Sequence, residues 1–386
     1  MAEARPFTVE IPQNDLDDLK DRLSRIRWPA DVGNPDGRYG APREFMEELT
    51  SYWRDEYDWR KVEAQINSYD NQLVEIEGVP IHFLRVRGKG PDPTPIILTH
   101  GWPWTFWDLH KVIDALADPA AHGGDPANSF DVIVPSLPGY GFSIPLQTTG
   151  IDIPRVADLW VKLMRDVLGY DRFAAQGGDW GAFVTAQLGH AHAEHLIGAY
   201  LTLPVIPGVF GRNAPREDQF GADEKWMLQR QAEARRHVEA HVAVHRRDPQ
   251  TFSYAMADSP AGLGAWLWWR RQLWCDGDAI EVFGKEDLCT LASIYWFNSS
   301  FASSIRIYAE QFSKPMGVVH ERMPVIEAPT GFGVFPKELL FIPRSVAETH
   351  TNLRRWSVFD RGGHFAPAER PDAVIAELRA FFAELD

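Results

Sequence analysis

The first part of the chain has the hydrophobic spacing of amphipathic helices. Apolar side chains recur every three or four residues, at Leu16, Leu19, Leu23 and Ile26. Side chains at that spacing share one face of a helix. Asn14 is a candidate N-cap, and Pro29 is expected to stop the run. The pattern predicts an N-terminal helical arm over residues 1–62.

After the arm, the pattern changes to short apolar runs followed by glycine-bearing turns. The runs that predict strands are Leu73–Glu77, Ile81–Val86, Ile96–Thr99, Phe130–Pro135 and Arg172–Ala175. Each of the last three precedes a helix-compatible stretch, and such alternation indicates an α/β domain with a mostly parallel, doubly wound sheet.

The alternation stops near residue 204 and returns near residue 316. The intervening stretch, residues 205–315, is rich in helical pattern and in tryptophan. A strand at Val325–Val334, another at Ser357–Phe359 and a last helix at Pro371–Leu385 follow it. We therefore expect a helical cap inserted into a sheet domain made of residues 63–204 and 316–386.

The segment from Phe173 to Gly181 joins a predicted strand to a helix through a sharp turn. Small residues at Gly177 and Gly181 flank Asp179, which is the spacing of the nucleophile elbow in the α/β-hydrolase fold. A carboxylate there can attack a saturated carbon and form an ester. The alternative is that Asp179 only caps the following helix, since aspartate is a favoured N-cap.

The loop after Ile96–Thr99 is rich in aromatic residues. It reads His100-Gly-Trp-Pro103 and continues with Trp104 and Phe106, which are candidates for the wall of a substrate pocket. In this fold the loop after an early strand and the residue after the nucleophile each donate a backbone N–H to an oxyanion. Those donors are expected to be Trp102 and Trp180; simple aromatic packing is the alternative.

The C-terminal part offers a base and an acid. His364 follows a strand and two glycines, and a histidine there fits the nucleophile, acid, histidine order of the fold. A neutral imidazole in that position would deprotonate water at physiological pH. Glu338 is the expected orienting acid, with Asp360 as its main rival and Glu327 as a weaker one. The histidines at 237, 241 and 245 share one helical stripe, which favours a solvated face over a metal site.

The composition of the chain argues against several classes of function. The 386-residue chain has a formal net charge of −15, which opposes binding to nucleic acid or to an anionic membrane. Its only two cysteines, Cys275 and Cys289, lack partners at metal-ligand spacing, so neither a disulfide framework nor a metal is expected. No apolar run is long enough to serve as a signal or a membrane span. We expect a cytoplasmic protein without a cofactor or metal.

Together these residues resemble the microsomal-type epoxide hydrolase family over nearly the whole chain. The shared pieces are Arg27-Trp-Pro29, His100-Gly-Trp-Pro103, Gly177–Gly181, Asp258-Ser-Pro260, Tyr295-Trp296, Tyr308, Phe335–Leu340 and Arg361–Phe365. The resemblance implies that Asp179 opens an epoxide, that Glu338 and His364 activate the hydrolytic water, and that Tyr308 hydrogen-bonds the epoxide oxygen. The family usually has a second cap tyrosine. Here His241 stands near its expected place, with Tyr254 and Tyr295 as alternatives.

The expected function is therefore hydrolysis of an apolar or aromatic epoxide to a diol through an Asp179 ester. A haloalkane dehalogenase is the nearest alternative, since it uses the same nucleophile and base. A non-catalytic protein that binds an apolar ligand is the other. The expected partner is the small-molecule substrate; the sequence leaves the oligomeric state open, with a homodimer as one candidate.

Overall fold

A single β-sheet forms the centre of the molecule. The computed structural model describes residues 3–210, 213–313 and 318–385, and the nine strands found there pair in the order β1-β2-β3-β5-β4-β6-β7-β8-β9. They are β1 Arg5–Pro6, β2 Asp70–Ile76, β3 Val79–Val86, β4 Thr94–Thr99, β5 Phe130–Pro135, β6 Phe173–Gly177, β7 Leu196–Leu201, β8 Ile326–Val334 and β9 Thr351–Val358. Strands β4 to β9 pair in parallel with one another, whereas β1, β2 and β3 are antiparallel to their neighbours. The predicted mostly parallel sheet is confirmed.

The parallel strands end at a common level. Thr99 at the end of β4 lies opposite Gly177 at the end of β6, and Gly177 lies opposite Leu201 of β7. Leu201 in turn lies opposite Phe332 of β8. The loops that leave these strands therefore emerge at one edge of the sheet, which is where α/β folds build their sites.

Helices surround the sheet and fill the long interval between β7 and β8. They are α1 Gln13–Ser24, α2 Arg43–Asp55, α3 Trp59–Asn67, α4 His110–Ala117, α5 Ile153–Lys162, α6 Trp180–Ala191, α7 Lys225–Arg247, α8 Pro249–Asp258, α9 Pro260–Trp274, α10 Ala279–Phe297, α11 Phe301–Phe312, α12 Arg344–His350, α13 Ala366–Glu369 and α14 Pro371–Ala383. We call α7 to α11 the cap. In the part of the chain that the structure covers, no helix is both long and apolar enough to cross a bilayer.

The N-terminal helices pack on the cap. Trp53 of α2 is buried, stands edge-on to the ring of Trp268 at 5.5 Å, and donates a hydrogen bond of 2.8 Å to Ser293. Tyr57 shares a 3.0 Å hydrogen bond with Thr290. Large aromatic side chains bury much apolar surface while their polar atoms keep partners. Through these contacts the N-terminal arm holds α9 and α10 of the cap in place.

Two local predictions were wrong. Helix α1 begins at Gln13 behind Pro12, so Asn14 lies inside the helix and caps nothing; the helix also ends at Ser24, well before Pro29. Strand β9 starts at Thr351 and not at Ser357. Its outer position in the sheet leaves several of its polar side chains half-exposed, and this is why the sequence pattern did not indicate its first residues. Such a strand lacks the apolar run that marks a buried one.

Candidate active site

Asp179 sits in a strained turn between β6 and α6. Its backbone has φ 51° and ψ −127°, a conformation that costs energy for a residue with a side chain. A Cβ on Gly177 would collide with the carbonyl group of Gly181, and one on Gly181 would collide with the carbonyl oxygen of Thr99. Glycine is therefore required at both positions. The Asp179 side chain makes no capping hydrogen bond to α6, so the capping interpretation was wrong.

The two oxygens of the Asp179 carboxylate have different surroundings. Oδ1 accepts a 2.7 Å hydrogen bond from the backbone N–H of Trp102. Oδ2 lies 3.2 Å from Nε2 of His364, in ion-pair contact but without the alignment of a hydrogen bond. The side chain keeps only 17% of its surface exposed. The carboxylate is thus held between a backbone donor and an imidazole.

His364 is fully buried and lies between two carboxylates. Its Nδ1 donates to Oε1 of Glu338 at 2.5 Å, and that oxygen also accepts the Leu339 N–H at 2.6 Å. Burial alone would lower the pKa of His364, but the charges of Glu338 and Asp179 outweigh it and raise the pKa to about 10. With that pKa, the protonated form of the imidazole predominates at neutral pH beside the two carboxylates.

The rivals of Glu338 lie elsewhere. Glu327 forms a bidentate ion pair with Arg322, and Asp360 is exposed to solvent. Glu338, in contrast, is 1% exposed and touches the imidazole. Among the three carboxylates considered from the sequence, the structure brings Glu338 to His364.

His100 holds the loop that carries Trp102. Its Nε2 accepts the N–H of Leu137 at 3.0 Å, and its Nδ1 donates to the carbonyl oxygen of Gly101 at 3.0 Å. Burial lowers the pKa of this imidazole to about 4, so it stays neutral and keeps both roles. Trp180 is the first residue of α6, and the first amides of a helix have no partner inside it.

Cap residues surround the same carboxylate. Tyr308 of α11 is 2% exposed, and its ring lies 4.8 Å from that of Trp180 and 6.1 Å from that of Trp102. Burial, and then the charge of Asp179, raise the pKa of its phenol well above the ordinary 10.0. The hydroxyl therefore keeps its proton. The ring of His241 stacks on Trp102 at 5.2 Å, and its buried Nδ1 has no hydrogen-bond partner among the residues that the structure describes.

The other residues that the sequence suggested for the site lie in different surroundings. Tyr295 donates its hydroxyl to the carbonyl oxygen of Trp104 at 2.9 Å, and Tyr254 is 71% exposed. The Trp104 ring stands 5.7 Å from the ring of His364. The Phe106 ring packs against His82, Trp107 and Phe142, which is a separate aromatic cluster. Of the two residues predicted to line the pocket, only Trp104 is brought beside His364.

The cap also grips the loop that carries His364. The Trp274 carbonyl oxygen accepts the His364 N–H at 3.0 Å, and Oδ2 of Asp276 accepts the Gly362 N–H at 2.8 Å. Glu369 then joins both sides, since its two oxygens accept the N–H groups of Asp276 and Phe365 at 2.9 Å each. Burial raises the pKa of Glu369 to about 7. We call these six residues the base clasp: Trp274, Asp276, Gly362, His364, Phe365 and Glu369.

Arg271 of α9 connects the cap to the other loop. It is 2% exposed, donates to the Pro103 carbonyl oxygen at 2.9 Å and to Asp108 at 2.5 Å, and lies 4.0 Å from the centre of the Phe365 ring. A buried guanidinium needs such partners to offset its lost hydration. One cap helix thus contacts both the loop of Trp102 and the loop of His364.

Sequence reasoning missed several of these residues. The interpretation of 237, 241 and 245 as a solvated stripe was wrong for His241 and His245, which are 4% and 0% exposed. Arg270 and Arg271 were not considered, although two adjacent charges inside the tryptophan-rich run Trp266–Trp274 were a usable signal. Charged residues are seldom fully buried without a specific purpose.

Comparisons with known proteins agree with this geometry. The family model described as "Epoxide hydrolase N terminus" matches residues 4–109, and the one described as "alpha/beta hydrolase fold" matches residues 94–246. A protein of Stigmatella aurantiaca (strain DW4/3-1), whose name assigns it provisionally to the epoxide hydrolases, is 39% identical over 98% of this chain and 85% of its own. "Epoxide hydrolase 1" of Oryctolagus cuniculus is 33% identical over 98% and 88%. The solved structure of Aspergillus niger epoxide hydrolase superposes with a TM-score of 0.86 at 31% identity, covering 99% of this chain and 96% of that one.

Proposed function

The chain belongs to the microsomal-type epoxide hydrolase family and is an epoxide hydrolase, and from this premise we propose that Asp179 forms a covalent ester with its substrate. The supporting observation is a buried carboxylate that caps no helix, with Trp102 on one oxygen and His364 on the other. Since Oδ1 is engaged by a backbone donor, Oδ2 is the attacking atom.

In the first step, Oδ2 of Asp179 attacks an oxirane carbon and the carbon–oxygen bond breaks. The bonding pair moves to the epoxide oxygen, which takes the proton of the Tyr308 hydroxyl, while His241 supplies a second hydrogen bond to that oxygen. The imidazolium of His364 then returns a proton to the Tyr308 phenolate. Total charge is unchanged, and His364 is left as a neutral base.

In the second step, His364 removes a proton from a water molecule that attacks Cγ of the ester. Glu338 stabilises the imidazolium that results. The oxyanion on Oδ1 is held by the N–H groups of Trp102 and Trp180. Collapse releases the diol, whose alkoxide takes the proton from His364, and the new carboxylic acid gives its proton back to the imidazole.

A single-turnover experiment in ¹⁸O-labelled water tests the ester. With enzyme in excess over styrene oxide, the first diol should carry unlabelled oxygen from Asp179, and the label should appear in the aspartate. Label found directly in the first diol would contradict the covalent route. Asp179→Asn should lose at least about 10³-fold in kcat.

Asp125→Asn is the matched control for that variant. Asp125 also follows two glycines, yet its carboxylate caps a short turn by accepting the Ala127 N–H at 2.9 Å. It should retain near-full activity. The apolar or aromatic character of the substrate rests on the surrounding tryptophans, and a panel of aryl and alkyl epoxides tests it. The cytoplasmic location and the homodimer stay predictions.

A further inference from the structure

Arg270 is a buried cation without a counter-ion. It is 6% exposed, and in the ranges that the structure describes it has no hydrogen bond and no ion pair, with Nε enclosed and unpartnered. Burial lowers the pKa of its guanidinium to about 10, so it remains charged at neutral pH. An unpaired buried charge costs several kcal/mol, which makes a purely structural role unfavourable.

The neighbouring arginine shows what a structural role looks like here. Arg271 is equally buried, but it pairs with Asp108 and with the Pro103 carbonyl oxygen. Arg270 instead lies with its guanidinium 4.4 Å from the centre of the Trp266 ring. Stacking on an indole orients the group but leaves its hydrogen-bond donors available.

A second free donor lies beside it. The indole N–H of Trp266 donates to Nε2 of His245 at 3.0 Å. Burial and the charge of Arg270 lower the pKa of His245 to about 3, so the ring is neutral and its proton is on Nδ1. That Nδ1 is buried and has no hydrogen-bond partner within residues 3–210, 213–313 and 318–385. The His245 ring is 4.9 Å from the ring of Tyr308, which places these donors next to the proposed proton donor.

Arg270 acts electrostatically on several groups around it. After burial, its charge is a cause of the lowered pKa values of His237, His241 and His245, and its own charged form is favoured by Tyr308. A cation with free hydrogen-bond donors is complementary to an oxygen-rich anion. A planar carboxylate matches the fork of a guanidinium.

We propose that Arg270 and His245 bind a carboxylate carried by the epoxide substrate, and hence that the enzyme prefers epoxy acids to their neutral analogues. The inference rests on the proposed function, because it places the reacting oxirane at Asp179 and Tyr308. The substrate would supply the counter-ion that the described part of the chain does not provide.

Paired substrates test the proposal. Terminal epoxides with a carboxylate at the far end, at several chain lengths, are compared with the matching primary amides in the wild-type enzyme, Arg270→Gln and Arg270→Lys. We expect the best acid to exceed its amide at least tenfold in kcat/KM. Arg270→Gln should abolish that ratio by lowering kcat/KM for the acid at least tenfold more than for the amide, and Arg270→Lys should restore part of it. These margins correspond to one charge-assisted hydrogen bond.

Several outcomes would overturn the proposal. One is an acid-to-amide ratio near one in the wild-type enzyme at every chain length. Another is an equal loss on both substrates in Arg270→Gln, which would show that the cation serves the chemistry or the fold. If neither the acids nor the amides are hydrolysed, the proposed function itself fails, which is a distinguishable result.

A stability measurement and a control variant distinguish a substrate-binding role of Arg270 from a structural one. Because Arg270 lacks a partner, Arg270→Gln should keep or raise the Tm, whereas a structural arginine would lower it. Arg235→Gln, which removes an exposed α7 cation paired with Glu239, controls for the loss of a positive charge and should leave the acid-to-amide ratio unchanged.

Discussion

In the proposed mechanism, the charge of Asp179 decides whether His364 acts as an acid or as a base, and Asp179→Asn tests this directly. The variant keeps the size of the side chain but removes its charge, as esterification does. Coulomb's law with an effective dielectric constant of about 20 gives roughly 5 kcal/mol for unit charges separated by the 3.2 Å between Oδ2 and Nε2. A tenfold change in proton affinity corresponds to about 1.4 kcal/mol.

The pKa of His364, raised to about 10 in the free enzyme, should therefore fall by more than one in Asp179→Asn. Nuclear magnetic resonance titration of the imidazole, assigned with His364→Gln, measures it. Asp125→Asn should leave the titration unchanged. An identical His364 titration in the wild type and in Asp179→Asn would refute the reasoning, since it would mean that the ester intermediate cannot release a neutral base.

Three further predictions concern the remaining carboxylates and the phenol. Glu338→Gln should slow hydrolysis of the ester by about 10²–10⁴-fold, so that rapid-quench mass spectrometry detects the accumulated hydroxyalkyl ester of Asp179; equal slowing of both steps would contradict this order. Tyr308→Phe should reduce the rate of ester formation at least tenfold without changing hydrolysis of preformed ester, as stopped-flow tryptophan fluorescence can show. Glu369, with its folded pKa raised to about 7 from 4.5 by burial, contributes stability that is complete below pH 4.5 and is lost as pH rises through 7. Glu369→Gln should remove this dependence of the free energy of unfolding on pH, measured by urea titrations at several pH values. If the dependence persists in the variant, another group causes it.

The candidate-site residues that lie on turns could be predicted from the sequence. The elbow around Asp179 needs glycine at positions 177 and 181 for local steric reasons, and such a requirement can be recognised in the sequence. Glu338 and His364 could be placed because each follows a strand that ends at the same edge. Their 2.5 Å contact follows from that topology.

The cap was harder to predict because its chemistry depends on which helix faces touch. A stripe of histidines on α7 is compatible with water or with a core, and only the packing of α7 against α9 and α11 decides that His241 and His245 are buried. In the same way, the sequence cannot tell Arg270 from Arg271, although one is paired and the other is not. Tertiary contact, and not spacing, separates them.

The base clasp has a consequence for how substrate enters. The carbonyl of Trp274 and the side chain of Asp276 hold the backbone of His364 and Gly362, so swinging the end of α9 outward would drag the imidazole away from Asp179. Entry must instead open elsewhere along the cap. Likewise, grafting a foreign cap onto this sheet would leave the histidine loop without its anchors unless the segment from Arg271 to Asp276 came with it.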